Sequence, residues 1–113
     1  MAGASARRLM RKVLARLSGE KLTTFLLFLK EVSVGDFLAI ELLKAAGVRN
    51  PQQVIKELID EGWLERGLGC VSLSKEIRRA LASDGVDVLT AGRELAERIE
   101  RLKRPIMAKQ KFV

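Results

Sequence analysis

Six segments of the chain carry apolar residues at the spacing of a helix, and two short segments have the pattern of strands. The helical segments are residues 4–18, 20–32, 33–46, 51–61, 74–82 and 88–103, and the strand-like segments are residues 63–66 and 70–73. In the second helix the apolar residues from Leu22 to Leu29 cover most of the circumference, which predicts a position at the centre of the core. The pattern therefore predicts a mainly helical domain with one small hairpin.

The first helix is predicted to be amphipathic, with Gly19 as its C-terminal cap. Its apolar face comprises Leu9, Met10, Val13, Leu14 and Leu17, and its opposite face carries Arg7, Arg8, Arg11, Lys12 and Arg16. Two interpretations are open: the apolar face packs on the domain while the charges are merely solvated, or the basic face contacts phosphate. The apolar face has no aromatic residue, which disfavours a helix lying on a membrane surface.

Polar residues mark where the next two helices begin. Ser33 is predicted to cap the third helix, with Asp36 as its capping-box partner. The apolar face of this helix would comprise Phe37, Leu38, Leu42 and Ala45. Asn50 is predicted to cap the fourth helix and Gln53 to complete its capping box, with Pro51 at the first helical position.

A hairpin and a long helix are predicted for the C-terminal part of the chain. The glycine-rich residues 67–69 join the two strand-like segments, Ser74 caps the fifth helix, and the last helix ends before Pro105. Apolar or small residues form a heptad-like seam on that helix at Val88, Gly92, Leu95, Ile99 and Leu102. The seam predicts either packing against its own domain or a homodimer formed through Val88–Leu102.

Charge divides the chain into a mildly acidic centre and two basic ends. The 113 residues carry 21 basic and 14 acidic side chains, a formal net charge of +7. Residues 1–18 and 101–113 each hold five basic residues and no acid, whereas residues 19–100 hold eleven basic and fourteen acidic ones. The predicted organisation is a basic arm (1–18), a domain (19–83), a helix (84–104) and a basic tail (105–113). We expect both ends to attract phosphate, the C-terminal one through Arg104, Lys109 and Lys111.

Several classes of function are disfavoured by what the sequence lacks. It contains no histidine and a single cysteine, Cys70, which we expect to be a buried structural thiol. With no phosphate-loop motif and no cluster of metal ligands, we expect no catalysis, no metal and no cofactor. The longest apolar run, Phe25–Leu29, is far shorter than the ~20 residues that a membrane helix needs. We therefore expect a cytoplasmic protein, associated with the nucleoid or the ribosome.

Residues 33–73 resemble the winged helix-turn-helix family of DNA-binding domains, which is widespread in archaeal and bacterial regulators. The matching features are the helix from Val34 to Ala46, the turn Gly47-Val48-Arg49-Asn50, the helix Pro51–Glu61 and the sequence Gly62-Trp63-Leu64-Glu65-Arg66. The resemblance implies a mainly α fold, with a three-helix core and a small β-hairpin wing, extended by further N- and C-terminal helices.

The resemblance also implies a nucleic-acid surface. In this family the start of the second motif helix enters the major groove and the wing contacts the backbone. Carried over to this chain, Asn50, Gln52, Gln53 and Lys56 would face DNA, and Arg49 and Arg66 would lie near phosphates. An ordinary solvated helix face is the alternative for Gln52, Gln53 and Lys56.

Three functional hypotheses follow, all of them non-enzymatic. The first is a nucleic-acid-binding winged-helix protein, a DNA-binding regulator or chromatin-associated factor, with RNA as an alternative ligand. The second is a small accessory subunit of a nucleoprotein, replication or translation assembly, whose acidic centre docks on a protein while its basic ends follow nucleic acid. The third is an adaptor that binds only proteins.

Overall fold

The computed structural model describes the backbone of residues 4–83 and 85–111 and the side chains of these ranges as far as residue 102. The helices there are α1 (Ala4–Arg16), α2 (Gly19–Glu31), α3 (Asp36–Ala45), α4 (Pro51–Asp60), α5 (Lys75–Ala82) and α6 (Val88–Lys111). The strands are β1 (Ser33–Gly35), β2 (Leu64–Arg66) and β3 (Cys70–Leu73). The fold is thus mainly helical with a small sheet, and each predicted helix and both predicted strands are present within a few residues of the predicted bounds, except at the C-terminal end of α6.

The three strands form an antiparallel sheet in the order β1-β3-β2. Leu64 of β2 pairs with Leu73 of β3, and Val34 of β1 pairs with Val71 of β3. β2 and β3 form the predicted hairpin, and Cys70 at the start of β3 is half-buried. The order of helices and strands is compatible with a winged-helix-like fold.

The prediction that Ser33 caps the third helix is wrong, because residues 33–35 form β1. The Ser33 hydroxyl instead accepts a hydrogen bond of 3.0 Å from the hydroxyl of Ser72 on the neighbouring strand. α3 begins only at Asp36, and its N-cap residue is Gly35, which has no side chain that could cap the helix. Pairing with β3 satisfies backbone groups that would otherwise lie unpaired beside the hairpin, and this outweighs the local capping preference.

The core is centred on α2, as predicted. Phe25, Phe28 and Leu29 of this helix are completely buried, and α2 packs on α4, α6, β1 and β3. The Phe25 ring meets the edge of Trp63 at a centroid distance of 5.1 Å and an interplanar angle of 66°. The helices and the sheet therefore share one hydrophobic core.

The orientation of α3 differs from the prediction. Ala39 and Leu43 are the buried positions of this helix, whereas the expected core face of Phe37, Leu38, Leu42 and Ala45 is exposed. Seven of its ten residues are apolar and are distributed around the circumference, so several faces were equally suited to burial. Contacts of α3 with α4, β1 and β3 decide which face points inwards.

The seam on α6 packs against α2 of the same chain. Gly92, Leu95, Ala96 and Ile99 are buried, and Gly92 lies directly against the backbone carbonyl of Leu29. The interpretation of the seam as packing on its own domain is confirmed. The alternative, a homodimer through Val88–Leu102, would need other residues of α6, because the centre of that seam is already covered.

α6 continues past Pro105 to Lys111, so the predicted helix end and the separate basic tail at residues 105–113 are corrected. Proline removes one backbone donor, but residues 101–111 contain no glycine and several strong helix formers, which sustain the helix on both sides. Residues 112–113 lie outside the described part. None of the helices described has both the length and the apolar character needed to cross a membrane.

Side chains cap three of the helices. Asn50 Oδ1 accepts from the backbone N–H of Gln53 at the start of α4, and the Ser74 hydroxyl accepts from that of Ile77 at the start of α5, both as predicted. At the start of α6, Asp87 accepts from the backbone N–H and the hydroxyl of Thr90, each at 2.9 Å. These hydrogen bonds, the backbone one first, lower the pKa of the Asp87 carboxyl.

We expect Asn50→Ala to destabilise the domain by about 1 kcal/mol, because α4 would lose the side-chain acceptor for its Gln53 N–H. Chemical denaturation of the two proteins measures this difference. Gln52→Ala, an exposed position on the same helix without a capping role, serves as the control and is expected to change stability little. Equal stability of Asn50→Ala and the wild type would contradict the capping role.

Candidate functional site

The most conspicuous surface feature in the described part is a group of exposed apolar side chains around the start of α3. Phe37 is 78% exposed, Leu38 54% and Leu42 37%, and Leu68 at the tip of the β2–β3 hairpin is fully exposed. Leu38 and Leu42 are four positions apart and share one side of α3, and Phe37 precedes Leu38 in the first turn of the helix. We call these four residues the α3 patch. A cluster of exposed large apolar residues is typical of a surface that binds another protein.

Hydrogen bonds hold the hairpin tip against the start of α3. The Asp36 N–H donates to the Gly69 carbonyl at 3.0 Å, and Arg66 Nη1 donates to Asp36 Oδ1 at 2.9 Å. These bonds place Leu68 at the same end of α3 as Phe37. The α3 patch is therefore presented by a helix and a hairpin that are fixed to each other, which limits the entropy lost when a partner binds.

The predicted DNA-reading residues lie on the outer face of α4, but they lie among acidic groups. Gln52, Gln53 and Lys56 are exposed, and the Gln53 amide donates to Glu57 Oε2 at 3.0 Å. Asp60 is exposed on the same helix. Among the residues of α4 itself, one cation, Lys56, is present against two acids, Glu57 and Asp60, which disfavours the approach of phosphate.

Ion pairs join the acidic end of α4 to α2. Lys21 Nζ lies 4.0 Å from Glu57 Oε1 and forms a closer bond with Glu61. The hydrogen bond to Glu61 raises the pKa of the Lys21 ammonium above its ordinary value. Because the ordinary value is already far above neutral, the Lys21 ammonium stays charged at neutral pH and is neutralised only in strongly alkaline solution.

The remaining residues predicted around the helix-turn-helix have other contacts in the structure. The Arg66 guanidinium is paired with Asp36, the Asn50 side chain caps α4, and the Arg49 N–H donates to Glu20 Oε2 at 3.2 Å. The Arg49 side chain is exposed. Arg104, Lys109 and Lys111 lie beyond the described side chains. The structure thus groups Gln52, Gln53 and Lys56 on one face but does not join Arg66 to them in a basic surface.

The basic residues of α1 form a surface of their own. Leu9, Val13 and Leu17 are buried against the domain, and the five predicted cations Arg7, Arg8, Arg11, Lys12 and Arg16 are exposed. Lys12 Nζ lies 5.3 Å from the centre of the Trp63 ring, a cation–π distance. Both interpretations of α1 are thus compatible with the structure, since it packs through one face and presents its charges on the other.

No metal centre is evident in the described part of the chain. No three Cys, Asp or Glu residues there are close enough to hold a metal ion. The groove between α2 and α6 is lined by Lys30, Glu31, Arg93, Glu97, Glu100 and Arg101. Acids and bases of that groove neutralise one another, with Lys30 Nζ 2.7 Å from Glu100 Oε2. The α3 patch and the basic face of α1 remain as candidate functional surfaces.

Sequence reasoning missed the α3 patch as a site. Phe37, Leu38 and Leu42 are predicted from the sequence to lie on a core face, and Leu68 is predicted only as part of the hairpin turn. A signal was present in the hairpin: Leu68 stands between two glycines at a turn, where a large apolar side chain has no core to enter.

Comparison with known protein families gives a match over the central part of the chain. Residues 18–79, more than half of the chain, match the family described as PolB1 Binding Protein 2. No curated protein and no solved structure has a significant match. The matched segment extends from the start of α2 to within α5 and includes the whole of the α3 patch. On the extent of this match, the chain belongs to the PolB1 Binding Protein 2 family.

Proposed function

We propose that the chain is a non-enzymatic accessory subunit of the DNA polymerase PolB1, and that it docks on the polymerase through the α3 patch. The observation that carries this proposal is the position of the patch within the matched residues 18–79. A function common to the family is expected to reside in the segment that its members share. The exposed large apolar residues described within that segment are Phe37, Leu38, Leu42 and Leu68, the four residues of the α3 patch.

The charges on α4 favour this proposal over a sequence-reading regulator. We propose that the domain is a winged helix whose second motif helix is not used for major-groove reading. Glu57 and Asp60 would face phosphates in that geometry, and Glu57 is held in place by Gln53. The accessory-subunit hypothesis needs no such contact, and it also places the protein in the cytoplasm with the replicated DNA.

A matched pair of variants tests the docking surface. Leu38 and Leu102 are the same residue type and are both 54% exposed, but only Leu38 belongs to the α3 patch. We expect Leu38→Asp to weaken binding to PolB1 about 30-fold, which corresponds to ~2 kcal/mol for a charge placed in an apolar interface. Leu102→Asp should leave affinity unchanged. Isothermal titration of PolB1 with the full-length variants, without DNA, measures both.

Two outcomes would contradict the proposal. If wild-type protein and PolB1 do not associate, the assignment of the partner is wrong. If they associate and Leu38→Asp binds as tightly as Leu102→Asp, the partner is right and the docking surface lies elsewhere. Thermal unfolding of each variant checks that an exposed substitution has left the fold intact.

A further inference from the structure

The outer face of α1 carries an unusual density of like charge. Arg7 and Arg11 form one row at a spacing of four residues, and Arg8, Lys12 and Arg16 form a second row at the same spacing. Residues four positions apart are neighbours on a helix, and like charges in that relation repel. No acidic side chain of the described residues lies within 4.0 Å of any of these cations, although five such ion pairs occur elsewhere in the domain.

The helix is held in place in spite of this repulsion by its apolar face. Leu9, Val13 and Leu17 are buried, and α1 packs on α5 and α6. Lys12 is further held near the Trp63 ring. The cations are therefore fixed on a rigid scaffold rather than on a flexible arm, and an anionic partner would relieve their mutual repulsion.

The dimensions of the face suit the backbone of a DNA duplex. From Arg7 to Arg16 the helix rises about 14 Å, at 1.5 Å per residue. A duplex carries one phosphate charge per ~1.7 Å of its axis, so a face of this length meets several phosphates. Arginine and lysine contacts to phosphate carry no sequence information, which agrees with the absence of a basic reading surface on α4.

The position of the face separates it from the proposed polymerase contact. α1 lies outside the matched residues 18–79, and it packs on α5 and α6, whereas α3 packs on α4, β1 and β3. We infer that the basic face of α1 binds the phosphate backbone of duplex DNA without sequence preference. This inference does not depend on the identity of the protein partner, since it rests on the charges and exposure of α1 alone.

The test compares two double variants that remove the same charge from different surfaces. Arg7→Gln with Arg11→Gln alters the face of α1, and Arg49→Gln with Lys56→Gln alters the α4 surface that the helix-turn-helix resemblance implies. Fluorescence anisotropy of the full-length proteins with a random-sequence duplex is measured over a range of KCl concentrations. We expect the α1 variant to bind more weakly and to lower the salt slope by about 1–2 units, with the α4 variant close to wild type.

Further binding measurements decide which anion is recognised. Duplex DNA is compared with single-stranded DNA, duplex RNA and vesicles containing an anionic phospholipid, and Arg8→Gln with Arg16→Gln provides a second α1 variant. Circular dichroism verifies that the variants are folded. The inference is overturned if wild-type protein fails to bind duplex DNA, if the α1 and α4 variants lose equal affinity, or if vesicles are bound in preference to DNA.

Discussion

Replacing Gly92 with alanine is expected to lower the thermal midpoint by roughly 10–20 °C, which corresponds to about 2–3 kcal/mol of lost stability. A Cβ at this position would overlap the carbonyl oxygen of Leu29 and lie 3.2 Å from its carbonyl carbon. These are backbone atoms of α2, which cannot move aside as a flexible side chain could. α6 would have to withdraw from α2 and loosen the packing of Leu95 and Ile99.

The direction of the change in thermal midpoint shows whether the close helix contact or the helix propensity of alanine dominates. In an exposed helix, glycine to alanine stabilises by about 1 kcal/mol, because alanine has the higher helix propensity. Gly35→Ala is the control, since a Cβ there has only the Gly69 carbonyl oxygen as a neighbour, at 3.8 Å. Thermal unfolding followed by the fluorescence of Trp63, the single tryptophan of the chain, compares the two. If Gly92→Ala raised the midpoint, the close approach of the two helices would be disproved.

Trp63→Ala is expected to destabilise the domain by about 3–5 kcal/mol, the range for removing a large aromatic side chain from a core. Trp63 is 4% exposed and contacts Phe25 edge-on beneath Lys12. A cavity would open between α2 and the sheet, and α1 would lose part of its support. Because this variant has no tryptophan, circular dichroism in a denaturant titration is the appropriate measurement.

Trp63→Phe serves as the matched control for that substitution. It keeps an aromatic ring against Phe25 and beneath Lys12, so the expected loss is well below that of alanine. Nearly equal losses for the two variants would show that the volume of the indole, rather than an aromatic contact, stabilises this site. A loss of stability below about 1 kcal/mol for Trp63→Ala would mean that the surrounding side chains close the cavity with little loss of packing.

Local signals in the sequence were sufficient to predict most helices and the hairpin. Asn50 and Ser74 act within three residues of their own position, so their capping roles follow from sequence alone and are present in the structure. The hairpin follows likewise from the glycines of residues 67–69. The placement of α2 in the core was predictable because its apolar residues leave no other surface to expose.

Features that depend on distant contacts were not predictable in this way. β1 exists because Ser33 and Val34 find partners in β3, almost 40 residues away. α3 has apolar residues on several sides, so periodicity alone could not tell whether Phe37 or Leu43 would be buried. The choice is made by the surfaces of α4 and the sheet, which the sequence of α3 does not encode.

The candidate sites likewise differ in whether local signals in the sequence could predict them. The basic face of α1 was predictable because burial of Leu9 and Val13 at a spacing of four residues leaves the cations outside. The partial neutralisation of the acidic residues at the end of α4 was not predictable, since it depends on Lys21 of α2 reaching Glu57 and Glu61. Nor could the pairing of Arg66 with Asp36 be foreseen, because it requires the hairpin to fold onto the start of α3.

The strand order of the sheet limits how a partner protein can be recruited. β1 and β2 are its two edges, and each is only three residues long. A partner that added its own strand to either edge would gain very few backbone hydrogen bonds, whereas strand addition depends on a long row of them. Recognition through side chains is therefore favoured, and the same short edges protect the protein from edge-to-edge aggregation.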